Sequence, residues 1–212
     1  MTAFPDKRAD GHGTTGPGVV TFGFDVLDRV EQAVAMVKER MRRSVSALER
    51  AGIPYAVAGG HAVAAWVARI DPAAVRTTVD VDLLIARDDL ARATAALAEV
   101  GFVHAFTCGD HMFLDGPAGK AREAVHLVFA GELVTPHDPV PAPDLTAVDD
   151  REGYRIVVLD RLVVMKLTAF RLKDRVHLRD MIDVGLIDAT TLGRLPEPLR
   201  PRLQQLLDSP DG

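Results

Sequence analysis

Two aspartates, Asp80 and Asp82, stand one residue apart in the stretch VRTTVDVDLLIA, whose apolar residues predict a β-strand. Side chains along a strand alternate between its two faces, so both carboxylates project from the same face. Carboxylates at the edge of a core are costly unless they bind cations or strong donors. Two of them aimed at one point suit a divalent metal such as Mg²⁺, whereas the alternative is a solvated strand face that holds an arginine.

A pair of glycines, Gly59 and Gly60, separates two apolar patterns upstream of the aspartates. IPYAVAG predicts a strand, and GHAVAAWVARI predicts a helix that begins at the glycine pair. Backbone N–H groups at a helix start attract anions, and glycines allow a phosphate to approach closely. These features suit a phosphate group at Gly59 and Gly60, beside His61. The alternatives are a plain strand-to-helix turn and a core histidine.

Arg76, Thr77 and Thr78 come just before the two aspartates. Guanidinium and hydroxyl groups can orient carboxylates or contact phosphate, and we expect one of these roles for the three residues. An ion pair between Arg76 and either aspartate is the alternative.

The region from Arg161 to Arg179 is strongly basic. It has one acidic residue, Asp174, and six basic ones, a local balance of +5: Arg161, Lys166, Arg171, Lys173, Arg175 and Arg179. Such a patch suits phosphate or RNA, and the alternative is a solvated helix face.

The composition is that of one domain with a real core, since 48% of the 212 residues are hydrophobic. The formal net charge of −5 argues against a surface that binds polyanions generally, but not against a local basic site. Cys108 is the single cysteine, which excludes a disulfide framework and is typical of a reducing cytoplasm. We expect neither export nor a membrane span, because no apolar run is long and uninterrupted.

Composition and periodicity divide the chain into five segments. We predict a disordered tail (1–20), a helical segment (21–52), an α/β core (53–135), a Pro- and Asp-rich surface connection (136–153), and a short strand followed by helices (154–212). Within the core, FVHAFTC, HMFLD and AVHLVFAG predict further strands and DDLARATAALAEVG predicts a helix.

Three stretches in this order resemble the nucleotidyltransferase superfamily, particularly the AbiEii-type toxins of bacterial toxin–antitoxin pairs: AVAGGHAVAAWVARI, RTTVDVDLLI and VMKLTAFRLKDRVHLRD. The resemblance covers residues from about 53 to about 187. It implies an α/β (α+β) nucleotidyltransferase-like fold, with a small mixed sheet flanked by helices and a helical C-terminal part. It also implies transfer of a nucleoside monophosphate from a nucleoside triphosphate (NTP) to a hydroxyl or phosphate acceptor.

The same resemblance implies roles for particular residues. Asp80 and Asp82 correspond to catalytic ligands of Mg²⁺ or Mn²⁺, a metal that neutralises the phosphates and aligns the attacking hydroxyl. Lys166, Lys173 and Asp174 face the cleft in such a fold, with Lys166 and Asp174 catalytic. The implied nucleotide-binding residues are Gly59, Gly60, His61, Arg76, Thr77, Thr78 and Lys173. The implied acceptors are a tRNA, a protein or a small molecule, and an antitoxin protein is an implied partner.

His126 departs from the family pattern. A later strand usually offers a third carboxylate to the metal, and the matching position in EAVHLVFAGE is His126. Imidazole is a poor ligand for Mg²⁺, and a lone histidine in an apolar strand can instead be a core residue bonded to a backbone carbonyl. A catalytically silent relative that binds nucleotide or a partner protein is therefore an alternative to an enzyme. A further alternative is an RNA-binding module that uses the basic C-terminal helices, with the aspartates as structural ion-pair partners.

Overall fold

The structure is a computed structural model that describes residues 25–146, 148–151 and 153–209. The predicted tail at 1–20 and the first residues of the predicted helical segment, 21–24, lie outside the described residues. No helix within these ranges is long and apolar enough to cross a membrane.

The described residues form seven strands and six α-helices. The strands are β1 (Tyr55–Val57), β2 (Val81–Ile85), β3 (Phe102–Thr107), β4 (Asp110–Asp115), β5 (Val125–Phe129), β6 (Val148–Arg151) and β7 (Tyr154–Val157). The helices are α1 (Asp25–Arg50), α2 (Gly59–Ala68), α3 (Leu90–Glu99), α4 (Leu159–Ala169), α5 (Leu172–Asp183) and α6 (Arg200–Asp208).

All seven strands belong to one mixed sheet in the order β3-β4-β5-β2-β1-β7-β6. Strand β2 pairs in parallel with β5 and antiparallel with β1, and β1 pairs in parallel with β7. The remaining neighbours are antiparallel. The sheet and its helices confirm the predicted α/β class and place β2, which carries Asp82, at the centre.

Helices cover both faces of the sheet, and each face has its own apolar core. Helices α1 and α3 pack on one face, where Leu48 and Leu97 are fully buried. Helices α2, α4, α5 and α6 pack on the other, where Leu162 and Leu178 are fully buried. The apolar residues of these helices recur at helical spacing, so each helix has one apolar side that packs against the sheet.

Strand β2 is buried on both faces, and its alternation determines where Asp82 points. Val81, Leu83 and Ile85 belong to the core beneath α1 and α3, whereas Leu84 belongs to the core beneath α2 and the C-terminal helices. Asp82 shares the face of Leu84 because side chains two residues apart lie on the same side. The carboxylate of Asp82 therefore faces α2, which begins at the glycine pair, and α4 and α5, which contain the basic block.

Two predicted boundaries differ from the structure. Strand β2 begins at Val81, so Asp80 stands in the loop just before the strand. The predicted surface connection at 136–153 contains β6, which pairs with β7 at the edge of the sheet. It also contains the buried Ala142. An edge strand tolerates charged residues because one side faces water. The strand therefore lacks the apolar pattern that predicts a strand, and its Asp-rich sequence was interpreted as a connection.

Candidate functional site

Asp82 lies directly against the start of α2. Gly59 opens this helix with φ of +59°, and a Cβ at Gly59 would lie 1.7 Å from Oδ2 of Asp82. A Cβ at Gly60 would lie 2.9 Å from Oγ1 of Thr78. Both glycines are therefore required for the close approach of the segment that carries the aspartates. At Gly59 the nearest neighbour is thus a carboxylate of the chain itself, and phosphate binding at the glycine pair stays a prediction.

Asp80 is held by two donors. Oγ1 of Thr78 donates to Oδ1 of Asp80, and Nζ of Lys173 donates to Oδ2 at 3.2 Å. Burial alone would raise the pKa of Asp80, but these two donors outweigh it and lower the pKa to about 2. Asp80 is thus ionised near neutral pH. Lys173, a predicted nucleotide-binding residue, contacts Asp80 directly.

Asp82 has the opposite electrostatic situation. Burial, and then the negative charge of Asp80, raise the pKa of Asp82, while the charges of Lys166 and Lys173 oppose the rise. Burial is the larger cause, and the contribution of Asp80 indicates that the two carboxylates are close enough to repel one another. An added cation between them would relieve this repulsion.

Asp174 joins two cations. Its Oδ1 accepts from Nζ of Lys166 at 3.0 Å, and its Oδ2 accepts from Nε of Arg171 at 2.8 Å. The side chain of Asp174 is 1% exposed and that of Lys166 is 6% exposed. Burial would raise the pKa of Asp174, but Arg171 and Lys166 lower it. Because both oxygens are engaged, Asp174 is better suited to positioning these cations than to accepting a proton from a substrate.

Asp82 and the Asp174 group line a cleft of about 290 Å³, whereas Asp80 and Lys173 are not among its lining residues. Its polar floor is formed by Gly59, Asp82, Lys166, Arg171 and Asp174. Its largely apolar wall is formed by Val134, Val140, Pro141, Ala142, Met165 and Ala169. Much of this wall belongs to the segment that we had expected to be a surface connection. Four predicted site residues thus converge in one cleft with Arg171, which the sequence placed only in the basic block.

Arg76 does not pair with either site aspartate. Its Nε donates to both carboxylate oxygens of Asp180 on α5, at 2.7 and 2.9 Å. This contact ties the loop before β2 to α5, the helix that also carries Lys173. The neighbouring Thr77 is exposed. The expected ion pair with a site aspartate was therefore wrong, because Asp180 is distant in sequence and gave no local signal. Nucleotide binding by Arg76, Thr77 and Thr78 stays a prediction.

Two histidines beside the site have buried nitrogens without a hydrogen-bond partner among the described residues: Nε2 of His61 and Nδ1 of His177. Burial lowers the pKa of His61, although the charges of Asp82 and Asp80 oppose the shift. Burial, and then the charge of Lys166, lower the pKa of His177 to about 4. Both rings are therefore neutral near neutral pH. His61 stays a predicted nucleotide contact, since it lies in the first turn of α2.

His126 stands beside Asp82 in the sheet. The two residues are partners in the parallel pairing of β2 with β5, so their side chains share one face. Nε2 of His126 lies 3.2 Å from the carbonyl oxygen of Ala121. A carbonyl accepts only, so Nε2 carries the hydrogen and Nδ1 is the nitrogen left to accept or to bind a metal. The structure therefore places His126 beside Asp82 and gives it the expected backbone contact, while a role at a metal stays a prediction.

The donor set suits Mg²⁺ bound together with a substrate. Within residues 25–146, 148–151 and 153–209, no cluster of three or more His, Cys, Asp and Glu side chains forms a metal cage. Mg²⁺ commonly binds one or two carboxylates and takes its remaining ligands from phosphates and water. Asp80 and Asp82, with their mutual repulsion, match that arrangement.

Much of the basic block is used for packing. Nη2 of Arg179 donates to the carbonyl oxygen of Leu206 at 2.6 Å and thereby attaches α6 to α5. The guanidinium of Arg175 lies 5.8 Å from the ring centroid of Phe170. Arg161 is exposed at the start of α4. The block is therefore not a continuous row of free cations along the described helices, and the RNA-binding alternative gains no support.

The fold is that of the nucleotidyltransferases. Among solved structures, the antibiotic-resistance factor ANT(2'')-Ia, a nucleotidyltransferase, superposes with a TM-score of 0.51 over 85% of this chain and 95% of that chain. The two sequences are 12% identical, so the similarity shows a shared fold and nothing finer.

Two further structures, both from Helicobacter pylori, are more distant in shape. The protein JHP933 is 18% identical, with a TM-score of 0.49 over 85% of this chain and 76% of its own. A protein inferred to be a nucleotidyltransferase is 16% identical, with a TM-score of 0.37 over 83% of this chain and 98% of its own. No protein-family model matches the sequence, and no curated protein sequence matches it significantly.

Proposed function

We propose that this protein transfers a nucleoside monophosphate from an NTP to an acceptor. The observation that carries the proposal is the convergence of Asp82, the start of α2, and the Lys166–Asp174–Arg171 group in one cleft. A carboxylate beside a helix N-terminus and two cations provides both a metal ligand and donors for phosphate oxygens.

The shape of the cleft supports a nucleotide in one orientation. Phosphates fit the polar floor, where Lys166 and Arg171 supply positive charge. The base and sugar fit the apolar wall, where Val140 and Met165 provide surface that favours burial of a ring. The acceptor then reaches the α-phosphate from the side of Asp80.

The reaction is an in-line displacement at the α-phosphorus. An acceptor oxygen forms a bond to this phosphorus, the bond to the oxygen that bridges to the β-phosphate breaks, and pyrophosphate leaves with the electron pair. The acceptor hydroxyl loses its proton to water. Mg²⁺ or Mn²⁺ on Asp80 and Asp82 supplies neutralisation of phosphate charge when bound. Lys166 and Arg171 hold phosphate oxygens, and Asp174 keeps both cations in place.

A catalytically silent nucleotide-binding protein is the second candidate. The observation that favours it is the imidazole of His126, which occupies the position beside Asp82 where a carboxylate would give a third hard oxygen ligand. Both candidates bind NTP with metal, and they differ in whether the α-phosphate is transferred. A toxin role and an antitoxin partner stay predictions, which growth arrest on expression of the chain would test.

The test uses two labels. The protein is incubated with metal, candidate acceptors and each NTP, labelled in turn on the α- or the γ-phosphate. Transfer of the α-label alone supports the proposal, whereas transfer of the γ-label indicates a kinase. Binding of NTP without transfer to RNA, protein or small-molecule acceptors supports the silent candidate.

The matched variants separate the site from the rest of β2. Asp80→Asn with Asp82→Asn removes two negative charges that suit metal binding, and we expect transfer to fall at least about 100-fold. Asp88→Asn changes an exposed aspartate just beyond the other end of the same strand and should leave transfer unchanged. Equal activity in the double variant and the control would contradict the proposed site.

A further inference from the structure

Arg40 is a buried arginine on α1, the helix that packs on the sheet face opposite to α2, α4 and α5. Its side chain is 3% exposed. Its Nε donates to Oδ2 of Asp115 at 3.2 Å, and its Nη1 donates to the carbonyl oxygen of Val79 at 3.3 Å. Asp115 is the last residue of β4, and Val79 directly precedes Asp80. One guanidinium therefore connects α1 and β4 to the residue before a site aspartate.

The burial of Arg40 makes both contacts strong. A buried guanidinium is costly unless its charge is compensated and its donors are satisfied. Asp115 compensates the charge, and the Val79 carbonyl accepts from a second nitrogen of the same rigid, planar group. A hydrogen bond from a charged donor is roughly twice as strong as one between neutral groups. The position of the Val79 carbonyl is therefore fixed from α1.

The segment that carries Asp80 has no regular structure of its own. Strand β2 begins after it, and residues 75–80 form neither a helix nor a strand. Such a segment keeps its position through side-chain contacts. On the face of the cleft, Lys173 of α5 binds the carboxylate of Asp80. On the opposite face, Arg40 binds the carbonyl of Val79. The two contacts hold the segment from both faces of the sheet.

Arg43 provides a natural comparison. It lies three residues further along α1 and also binds Asp115, through Oδ1. Its guanidinium lies 4.5 Å from the ring centroid of Phe102. Within the part of the chain that the structure describes, Arg43 makes no hydrogen bond to Val79. Two arginines thus share one carboxylate, and of these two Arg40 contacts the segment that carries Asp80.

We propose that Arg40 is a positioning residue that fixes Asp80 for metal binding. The proposal rests on the proposed nucleotidyltransferase function and deepens it by assigning a role to an arginine outside the cleft. Arg40 acts through the peptide between Val79 and Asp80, and it contacts neither metal nor nucleotide in this role. Mg²⁺ demands near-ideal octahedral geometry, so a small displacement of Asp80 weakens the metal site.

The test compares Arg40→Met with Arg43→Met, its matched control. Methionine is a long, unbranched side chain that removes the donors and the charge while it fills much of the same space. The probes are the α,β-methylene analogues of the four common NTPs, which bind but cannot transfer their nucleotidyl group. Affinities are measured by calorimetry with Mn²⁺ and again with a chelator. The ratio of the two affinities gives the metal-dependent part of binding.

Removal of a group that orients a metal ligand costs about 10- to 100-fold in metal affinity, so the metal-dependent part should fall at least about 10-fold in Arg40→Met. Binding with the chelator should stay within about twofold, because Arg40 does not contact the nucleotide. Arg43→Met should keep the metal-dependent part, although both variants should lower the urea midpoint. Arg40→Lys keeps the charge, but one ammonium lacks the fork that reaches two acceptors, so we expect an intermediate loss.

The outcomes separate this role from the proposed function. If the unaltered protein binds none of the analogues, or binds them equally with and without Mn²⁺, the metal site and the positioning role both fail. If metal-dependent binding survives in Arg40→Met, or falls equally in Arg43→Met, the positioning role is overturned while the proposed function stands. If Arg40→Met does not fold, Arg40→Lys decides, because unchanged metal-dependent binding in that variant overturns the role.

Discussion

Replacement of Gly59 by alanine tests the contact at the centre of the site without reference to any activity. A Cβ at Gly59 would lie 1.7 Å from Oδ2, 2.5 Å from Cγ and 2.9 Å from Cβ of Asp82, so the carboxylate must move. The residue also has φ of +59°, which alanine adopts with strain. Both effects should destabilise the folded chain.

Gly52 provides a matched control. Its φ of +63° is nearly the same, but nothing lies within 4 Å of a Cβ built there. Gly52→Ala should therefore cost the backbone strain alone, about 1 kcal/mol. Gly59→Ala adds the overpacking against Asp82, which brings the expected loss to about 2–4 kcal/mol. The difference between the two variants measures the clash.

The assay is urea unfolding followed by circular dichroism. With a slope of about 2 kcal/mol per molar urea, the midpoint should fall by about 0.5 M for Gly52→Ala and by about 1–2 M for Gly59→Ala. Adding Asp82→Ala to Gly59→Ala should recover at least about 1 kcal/mol of the sum, because the clashing carboxylate is removed. Equal costs at the two glycines, together with additive behaviour of the double variant, would refute the placement of Asp82 over Gly59.

Two further predictions concern histidines. His126→Asp puts a hard oxygen ligand in register with Asp82, so the rate of Mg²⁺-dependent transfer should rise, whereas the unaltered protein should prefer Mn²⁺. Titrations of the transfer rate with each metal check this. Loss of activity or of folding in the variant would contradict it. His177 has a pKa of about 4 in the folded chain, below its ordinary value near 6.5, so the unfolded chain binds a proton first as pH falls. The free energy of unfolding should therefore drop as the pH falls from about 6.5 to 4, by about 1–2 kcal/mol after discounting for the exposed part of the ring. His177→Asn should remove that part of the pH dependence, as measured by urea unfolding. An unchanged pH profile in His177→Asn would show that other groups cause the drop.

Local patterns determined the class of fold and the position of its main elements. The alternation around Asp82 placed it opposite Val81 and Leu83, as the two cores confirm. The glycine pair correctly marked the start of α2, and the predicted helical segment at 21–52 ends within two residues of the last residue of α1, because backbone conformation depends mainly on neighbouring residues. The resemblance to nucleotidyltransferases agreed with the fold, while its finer assignment to AbiEii-type toxins stays a prediction.

Long-range packing decided which side chains meet. Arg76 pairs with Asp180, 104 residues away in the chain, and no local pattern distinguishes that aspartate from the nearer ones. Lys166 on α4 meets Asp174 on α5 because these two helices pack together, whereas Arg171 reaches the same carboxylate from only three residues away. The predicted surface connection became the cleft wall because Val140 and Ala142 pack against helices that follow in the sequence. A sequence carries periodicity and local conformation directly, but the partner of a charge depends on the three-dimensional arrangement of elements, and only the tertiary structure contains that.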